Sequence, residues 1–426
     1  MTLLDRTIPL LLRGYAWLPA QPRDAAGLVH TRLLGKPAVA FGGPDAVAFF
    51  YDEDHVHRQE ALPGPVLDTL FGRGAVHTLD GPPHRVRKSL FTGMLMDAEE
   101  NGRLTDLVLR HWREQAAEWA ERGPVVLFDE AAVVLAAAVG EWAGVPLAAP
   151  LARGTAEDCV AMVDGFAAPG PRHARARRAR ARQEARLAGT VTRCRSRDTA
   201  AVGADSVPAG RSGGQSGSGT VLERIARHRD ADGHLLDPHT AAVELLNVIR
   251  PTVALTWFVT FAAHALHREP ALRDELRAAD TPAHETAFAH EVRRFYPFAP
   301  FTAGLAAADL DWHGRPIAKD TLVLLDLFGQ NHDPELWPDP YRFEPARFLG
   351  HPPARDALVP QGGGDPRHGH RCPGEDIAVR VLAALCTELA RTELRVPAQD
   401  LRILLHRVPT RPRSGFVFTP LPAAGT

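Results

Sequence analysis

Gly369-His370-Arg371-Cys372-Pro373-Gly374-Glu375 closes a glycine-rich loop, Gln361 to Asp365, and runs straight into a helix predicted over Glu375 to Arg391. Ile377, Val381, Leu385 and Leu389 share one face of that helix. A thiol just ahead of a helix meets unpaired backbone N–H groups and the positive end of the helix dipole. His370 and Arg371 add positive charge. These influences favour the thiolate, which is either a nucleophile or a metal ligand. Cys386, inside the helix, reads instead as a buried structural thiol. The glycines near Cys372 are expected to clear room for a large planar partner.

Working outward, Glu291-Val292-Arg293-Arg294 and Glu344-Pro345-Ala346-Arg347-Phe348 precede the cysteine loop. A carboxylate and two guanidiniums can form a bidentate network. Alone, Glu-x-x-Arg is an ordinary helical salt-bridge spacing. Further upstream, His84-Arg85-Val86-Arg87-Lys88 follows Leu79-Asp80-Gly81-Pro82-Pro83. His84 and Lys88 are four apart and therefore lie on one helix face.

In this order the motifs resemble those of cytochromes P450, whose loop thiolate is the axial ligand of haem iron. The resemblance runs from about Lys36 to the end of the chain. It implies the cytochrome P450 fold, mainly α with small β-sheets (α+β), as a single domain over residues 1–426. It further implies that Glu291, Arg294 and Arg347 form a network that pins the cysteine loop. It also implies haem b with Cys372 as iron ligand and His370 beside it. His84 and Lys88, with Arg58, would hold the haem propionates. One departure bears on the loop: most relatives place Phe seven residues before the cysteine, where Asp365 stands here. The stretch Gly362 to His370 resembles one branch of the family, the bacterial fatty-acid peroxygenases.

Composition agrees with a globular enzyme. The chain has 426 residues, 45% hydrophobic and 23% charged, with 49 basic against 51 acidic side chains. A formal charge of −2 offers no field to attract nucleic acid. Four cysteines without a CxxC pair exclude a disulfide scaffold and fit a reducing, cytoplasmic setting. The apolar run near Ala131 to Ala152 is broken by Glu141, Gly144 and Pro146, so it reads as a buried helix rather than a membrane span. Ile8 to Leu12 is too short for a signal-peptide core. Arg172 to Arg197 holds ten arginines without interleaved aromatics and reads as a solvated helix face, not a nucleic-acid patch. Gly203 to Gly219 is Gly/Ser-rich and reads as a flexible surface loop, with chemistry on both sides of it.

Helices are predicted at Leu104 to Glu121, Leu127 to Val145, Asp158 to Phe166 and Ala283 to Tyr296, and a strand at Lys36 to Phe41. Thr240 to His267 is a long apolar helix with an arginine in its middle, Arg250, followed by Pro251. A buried unpaired charge is costly, so Arg250 needs an anionic partner. Glu244 or a distant protein carboxylate is one candidate. Pro251 removes the hydrogen bond to Asn247, so the helix should loosen there. Ordinary P450 monooxygenases place an acid–alcohol pair at this point. Arg250-Pro251 instead resembles the peroxygenase branch, which implies that Arg250 binds a fatty-acid carboxylate. Arginine is too weak an acid to act in proton transfer. The bound carboxylate would then serve as acid–base toward hydrogen peroxide, and the same ion pair would set which carbon reacts.

Leu70-Phe71-Gly72-Arg73-Gly74-Ala75-Val76-His77-Thr78 resembles the loop of that branch that meets the carboxyl end of the substrate. His77 falls where members carry His or Gln, and those with His include fatty-acid decarboxylases that form terminal alkenes. Phe71 would pack beside it. Phe298 and Phe301, after the Glu-x-x-Arg helix, fall where the substrate wall is expected. Gly170-Pro171-Arg172-His173 reads either as a tunnel-roof gate or as ordinary helix capping.

The leading expectation is a haem-thiolate peroxygenase that uses hydrogen peroxide on long-chain fatty acids. Its products would be 2- or 3-hydroxy acids, terminal alkenes, or both, without a redox partner. The alternative is a conventional P450 monooxygenase using O2 and a ferredoxin or flavodoxin. A third possibility is a binding protein without turnover.

Overall fold

The chain was analysed as a computed structural model that describes residues 4–166, 168–204, 219–279 and 281–421. Nearly all of the expected Gly/Ser-rich loop lies outside the described residues. Helices dominate, with small sheets at the edge.

The predicted elements appear, though the helices expected to begin at Leu104 and Asp158 begin earlier, at Ala98 and Ala149. Ala98–Arg122, Leu127–Ala143, Ala149–Gly165, Pro282–Phe295 and Glu375–Arg391 are helices. They bury one continuous core that includes Leu104, Trp112, Phe128, Leu135, Ile249, Phe261 and Leu385. Val191 and Ile225, on either side of the undescribed segment, belong to the same core. Asp97 starts the first of these helices by accepting the N–H groups of Glu99 and Glu100.

Lys36–Phe41 pairs antiparallel with Val29–Leu33 and parallel with Leu322–Asp326. Phe301–Ala306 and Val56–His57 complete a five-stranded sheet. All five residues of Leu322–Asp326 are buried, as expected for a central strand covered on both faces. The sheet places Phe301 and the turn before it beside the cavity described below.

The apolar helix expected over Thr240 to His267 is divided in two, Pro238–Val253 and Leu255–Arg268. The interruption sits at Ala254 rather than at Asn247 to Pro251. Pro251 withholds one bond, yet the Ala254 N–H still reaches the Arg250 carbonyl at 2.9 Å and the Thr252 hydroxyl donates to Val248 O at 3.0 Å. These bonds carry the first segment past the proline. By length and composition the span Pro238–Arg268 would suffice to cross a membrane, but 89% of its apolar window is buried inside the molecule.

The arginine-rich segment forms the helix Pro171–Ala204. Most of its arginines are exposed, but Arg180 is only 2% exposed. The reading of this segment as a solvated face is therefore corrected at that position. Arg180 is buried because it bonds Glu184 at 2.6 Å and the carbonyls of Leu70 and Phe71 at 2.7 and 2.9 Å.

Candidate active site

A cavity of about 1690 Å³ runs through the molecule between the cysteine loop and the Pro238–Val253 helix. This exceeds what a drug-sized ligand needs and leaves room for a macrocycle and a substrate together. Cys372, His370, Lys88, His84, His77, Phe71, Arg250, Pro251, Phe298 and Phe301 all line it.

The cysteine loop is held from three sides. The Cys372 N–H donates to Gln361 O at 3.2 Å. Lys88 donates to Arg371 O at 2.5 Å. Arg371 and Arg293 both bond Glu375, the first residue of the helix. Arg293 was not singled out in the sequence, although it sits inside the Glu-x-x-Arg motif. It clamps the start of the cysteine helix, whereas its neighbours act elsewhere. Arg294 makes a bidentate bond to Glu291, both distances 2.7 Å, with both side chains fully buried. It also donates to the carbonyls of Asn331 and Pro340. Arg347 lies 3.5 Å from Glu291 and bonds Pro338 O at 2.6 Å. The network thus pins the Pro338–Arg347 meander rather than the cysteine loop itself. Arg294→Ala, which strands the Glu291 carboxylate, is expected to destabilise the protein by about 3–5 kcal/mol in denaturant unfolding.

The glycine run is closely packed on its protein side. A Cβ on Gly362 would lie 2.5 Å from the Tyr51 hydroxyl oxygen, and one on Gly363 would lie 2.0 Å from Val47. Gly362 also adopts φ +94°, which an L side chain tolerates poorly. These glycines admit Tyr51 and Val47 against the loop, and Gly362 and Gly374 also line the cavity. Phe50 and Tyr51 also take up Arg58, whose guanidinium lies 4.1 and 5.2 Å from their ring centres and bonds Ala303 O at 3.1 Å. Arg58 is not among the cavity-lining residues but packs on Tyr51, which is.

Burial pushes the Cys372 thiol up, while the Gly374 N–H, the Lys88 charge and the Gln361 amide act in the opposite sense. A cation bound at sulfur favours the thiolate. His84 and His370 stack 3.9 Å apart at the cavity edge. Burial pushes both imidazoles down, that of His84 to about 3. Asp80 accepts His370 Nε2 at 3.3 Å and the N–H groups of Arg58 and Gln59.

Haem fits this donor set. One buried sulfur opens on the cavity, with Lys88, His84 and His370 around its rim. The buried Nδ1 of His84 lies 3.3 Å from Glu53 Oε1 without hydrogen-bond geometry.

Across the cavity, Arg250 is 7% exposed. Among the described residues it has no carboxylate partner, and its buried Nε makes no hydrogen bond. Burial, then the Arg180 charge, push its pKa down from the ordinary arginine value. Glu244 is already committed elsewhere. It receives Arg87 at 2.7 Å, the Val76 N–H at 2.9 Å and Asn247 Nδ2 at 3.3 Å. Arg87, which the sequence left unassigned among the basic residues of its helix, is the cation paired with Glu244.

His77 stands beside Phe71, ring centres 4.6 Å apart. Its Nδ1 is buried without a partner. Burial, then the Arg250 charge, push its pKa well below the ordinary value, so it faces the cavity as neutral imidazole. The turn carrying Phe71 is held by Arg180 and by Asn247, which donates to Phe71 O at 3.0 Å. Phe298 packs on Phe258 at 5.0 Å. Arg172 and His173 line the cavity, and Arg172 bonds Asp164 at 2.9 Å. Both readings of that segment thus find support, since Arg172 ties a helix end at the cavity wall.

Residues 286–420 match the cytochrome P450 family. Solved structures resemble the chain over its whole length. Cytochrome P450SP alpha in complex with (R)-ibuprophen is 38% identical, with 98% of each chain covered and a TM-score of 0.88. Cytochrome P450EX alpha with myristic acid is 36% identical over 98% of this chain and 97% of that one, TM-score 0.87. A variant of cytochrome P450 OleT in complex with arachidonic acid is 32% identical, with both chains fully covered, TM-score 0.89. The chain spans 24% and 41% of the length of the first curated relatives it matches, at 35% and 30% identity. The chain belongs to the cytochrome P450 family, and with it takes haem bound through a cysteine thiolate.

Proposed function

We propose that the chain is a single-domain haem-thiolate peroxygenase that oxidises long-chain fatty acids with hydrogen peroxide. The reading rests on one observation: Arg250 is a buried cavity cation without a carboxylate partner among the described residues, while Glu244 is paired with Arg87. Two relatives whose structures hold myristic and arachidonic acid support it.

Bound at Cys372, haem supplies the iron that activates the peroxide oxygen. Arg250 receives the fatty-acid carboxylate and relieves its own unpaired charge in doing so. The carboxylate, held there, serves as the acid–base group that moves the peroxide protons, which Arg250 itself is too weak an acid to do. The ion pair fixes the carbons nearest the carboxylate at the reacting centre, which gives 2- or 3-hydroxy acids or loss of the carboxylate as CO2 to leave a terminal alkene. Phe71, Phe298, Phe301 and Pro251 exclude water from the chain's path. His84, Lys88 and His370 hold the haem propionates. A redox partner is not needed, and the setting is cytoplasmic.

The test incubates the haem-loaded protein with palmitic acid and hydrogen peroxide alone and identifies products by mass. Hydroxy acids or alkenes are expected. Turnover only with O2, a reductase and a ferredoxin would establish the conventional monooxygenase instead. His77, neutral and unpartnered at Nδ1, is proposed to steer the outcome by hydrogen bonding near the carboxylate. His77→Gln is expected to lower the alkene-to-hydroxy-acid ratio severalfold in the same assay. An unchanged ratio assigns His77 to the scaffold.

A further inference from the structure

Six arginines line the cavity: Arg172, Arg250, Arg371, Arg407, Arg411 and Arg413. Four are matched by carboxylates. Arg172 and Arg407 share Asp164 at 2.9 and 2.5 Å. Arg371 has Glu375 at 2.8 Å, and Arg413 has Asp400 at 3.4 Å. Arg250 and Arg411 are the two without one among the described residues.

Arg411 belongs to the segment after the cysteine helix. Its guanidinium lies 3.7 Å from the ring centre of Phe128, and its Nη1 is buried without a hydrogen-bond partner. The neighbouring Thr410 hydroxyl is fully buried, lines the same cavity and is also unpartnered. Asp164 and Asp129 act on Arg411 from a distance, opposed by Arg407 and Arg172. Two carboxylates, Asp164 and Asp129, against three guanidiniums, Arg172, Arg407 and Arg411, leave this end of the cavity with a net positive charge. A desolvated guanidinium and a hydroxyl with nothing to bond form a costly arrangement, as at Arg250. An acceptor-rich anion would satisfy both.

We infer that Arg411 and Thr410 form a second anion subsite in the cavity, and that the preferred substrates are long-chain acids with a carboxylate at each end. This rests on Arg250 as the anchor of the first carboxylate. One carboxylate then sits at Arg250, beside the cysteine face, and the chain carries the other to Arg411. Phe128 supports the guanidinium from below and fixes its plane. The two cations define a length, so the preference should peak at one chain length rather than rise steadily with hydrophobicity.

The test titrates the haem-loaded protein, by calorimetry, with each saturated monocarboxylic acid from decanoic to octadecanoic acid and with the dicarboxylic acid of the same length. At one length the diacid is expected to bind on the order of tenfold tighter than its monoacid. Arg411→Gln is expected to remove that advantage, and Arg411→Lys to keep part of it. The inference is overturned if no diacid exceeds its monoacid while the monoacids bind normally, or if Arg411→Gln retains the full diacid advantage. If neither series binds, Arg250 is not a carboxylate anchor and the proposed function falls with it. The comparison on the unaltered protein decides the matter even if the Arg411 variants do not fold.

Discussion

Arg250→Ala is expected to lower peroxide-driven oxidation of fatty acids by about 100-fold or more in kcat/KM, while the haem stays bound. Two losses combine. The carboxylate is no longer held, and the acid–base group it supplies is no longer near the reacting centre. The ion pair forms where water is scarce, so its removal costs far more than a surface pair would. A companion measurement separates function from folding. Arg250 carries an unpaired charge in the free protein, so Arg250→Leu is expected to raise the melting temperature when no fatty acid is present. Palmitic acid should raise the melting temperature of the parent protein and leave that of Arg250→Leu unchanged. Retention of full activity by Arg250→Ala would remove the basis of the proposed function.

Cys372→Ala is expected to abolish turnover and to remove the red-shifted absorption of the reduced carbonyl complex. Cys372 is the one cysteine of the chain that lines the cavity. Cys159 and Cys386 are buried with their thiols pushed up by desolvation, that of Cys159 to about 12. Neither can substitute for it. An unchanged carbonyl spectrum in Cys372→Ala would reassign the iron ligand.

What the sequence makes legible is local. Glu375–Arg391 and Lys36–Phe41 are read to the residue because their patterns are self-contained. The cysteine loop and Arg250 stand out because each breaks a local rule, a thiol at a helix start and a charge inside an apolar run. Arg87, Arg180 and Tyr51 break none. Arg87 looks like one more base on a basic helix, and only its contact with Glu244, 157 positions away, gives it meaning. Arg180 hides among nine similar residues until Leu70 and Phe71 meet it across 110 positions. Tyr51 is an ordinary aromatic until Gly362 reaches it. Arg58, assigned to the haem by resemblance, packs on Phe50 and Tyr51 and bonds Ala303 O, 245 positions away. Pairings between distant segments have no period and no spacing, so a linear reading cannot find them.

The bonds from Arg180 to the Leu70 and Phe71 carbonyls have a mechanical consequence. They attach the cavity's aromatic wall to the side of a 34-residue rod, the helix Pro171–Ala204. A stiff rod transmits displacement along its length, so a push on its outer portion swings the wall as a lever swings a door. A shift of that helix would therefore carry Leu70 and Phe71 with it.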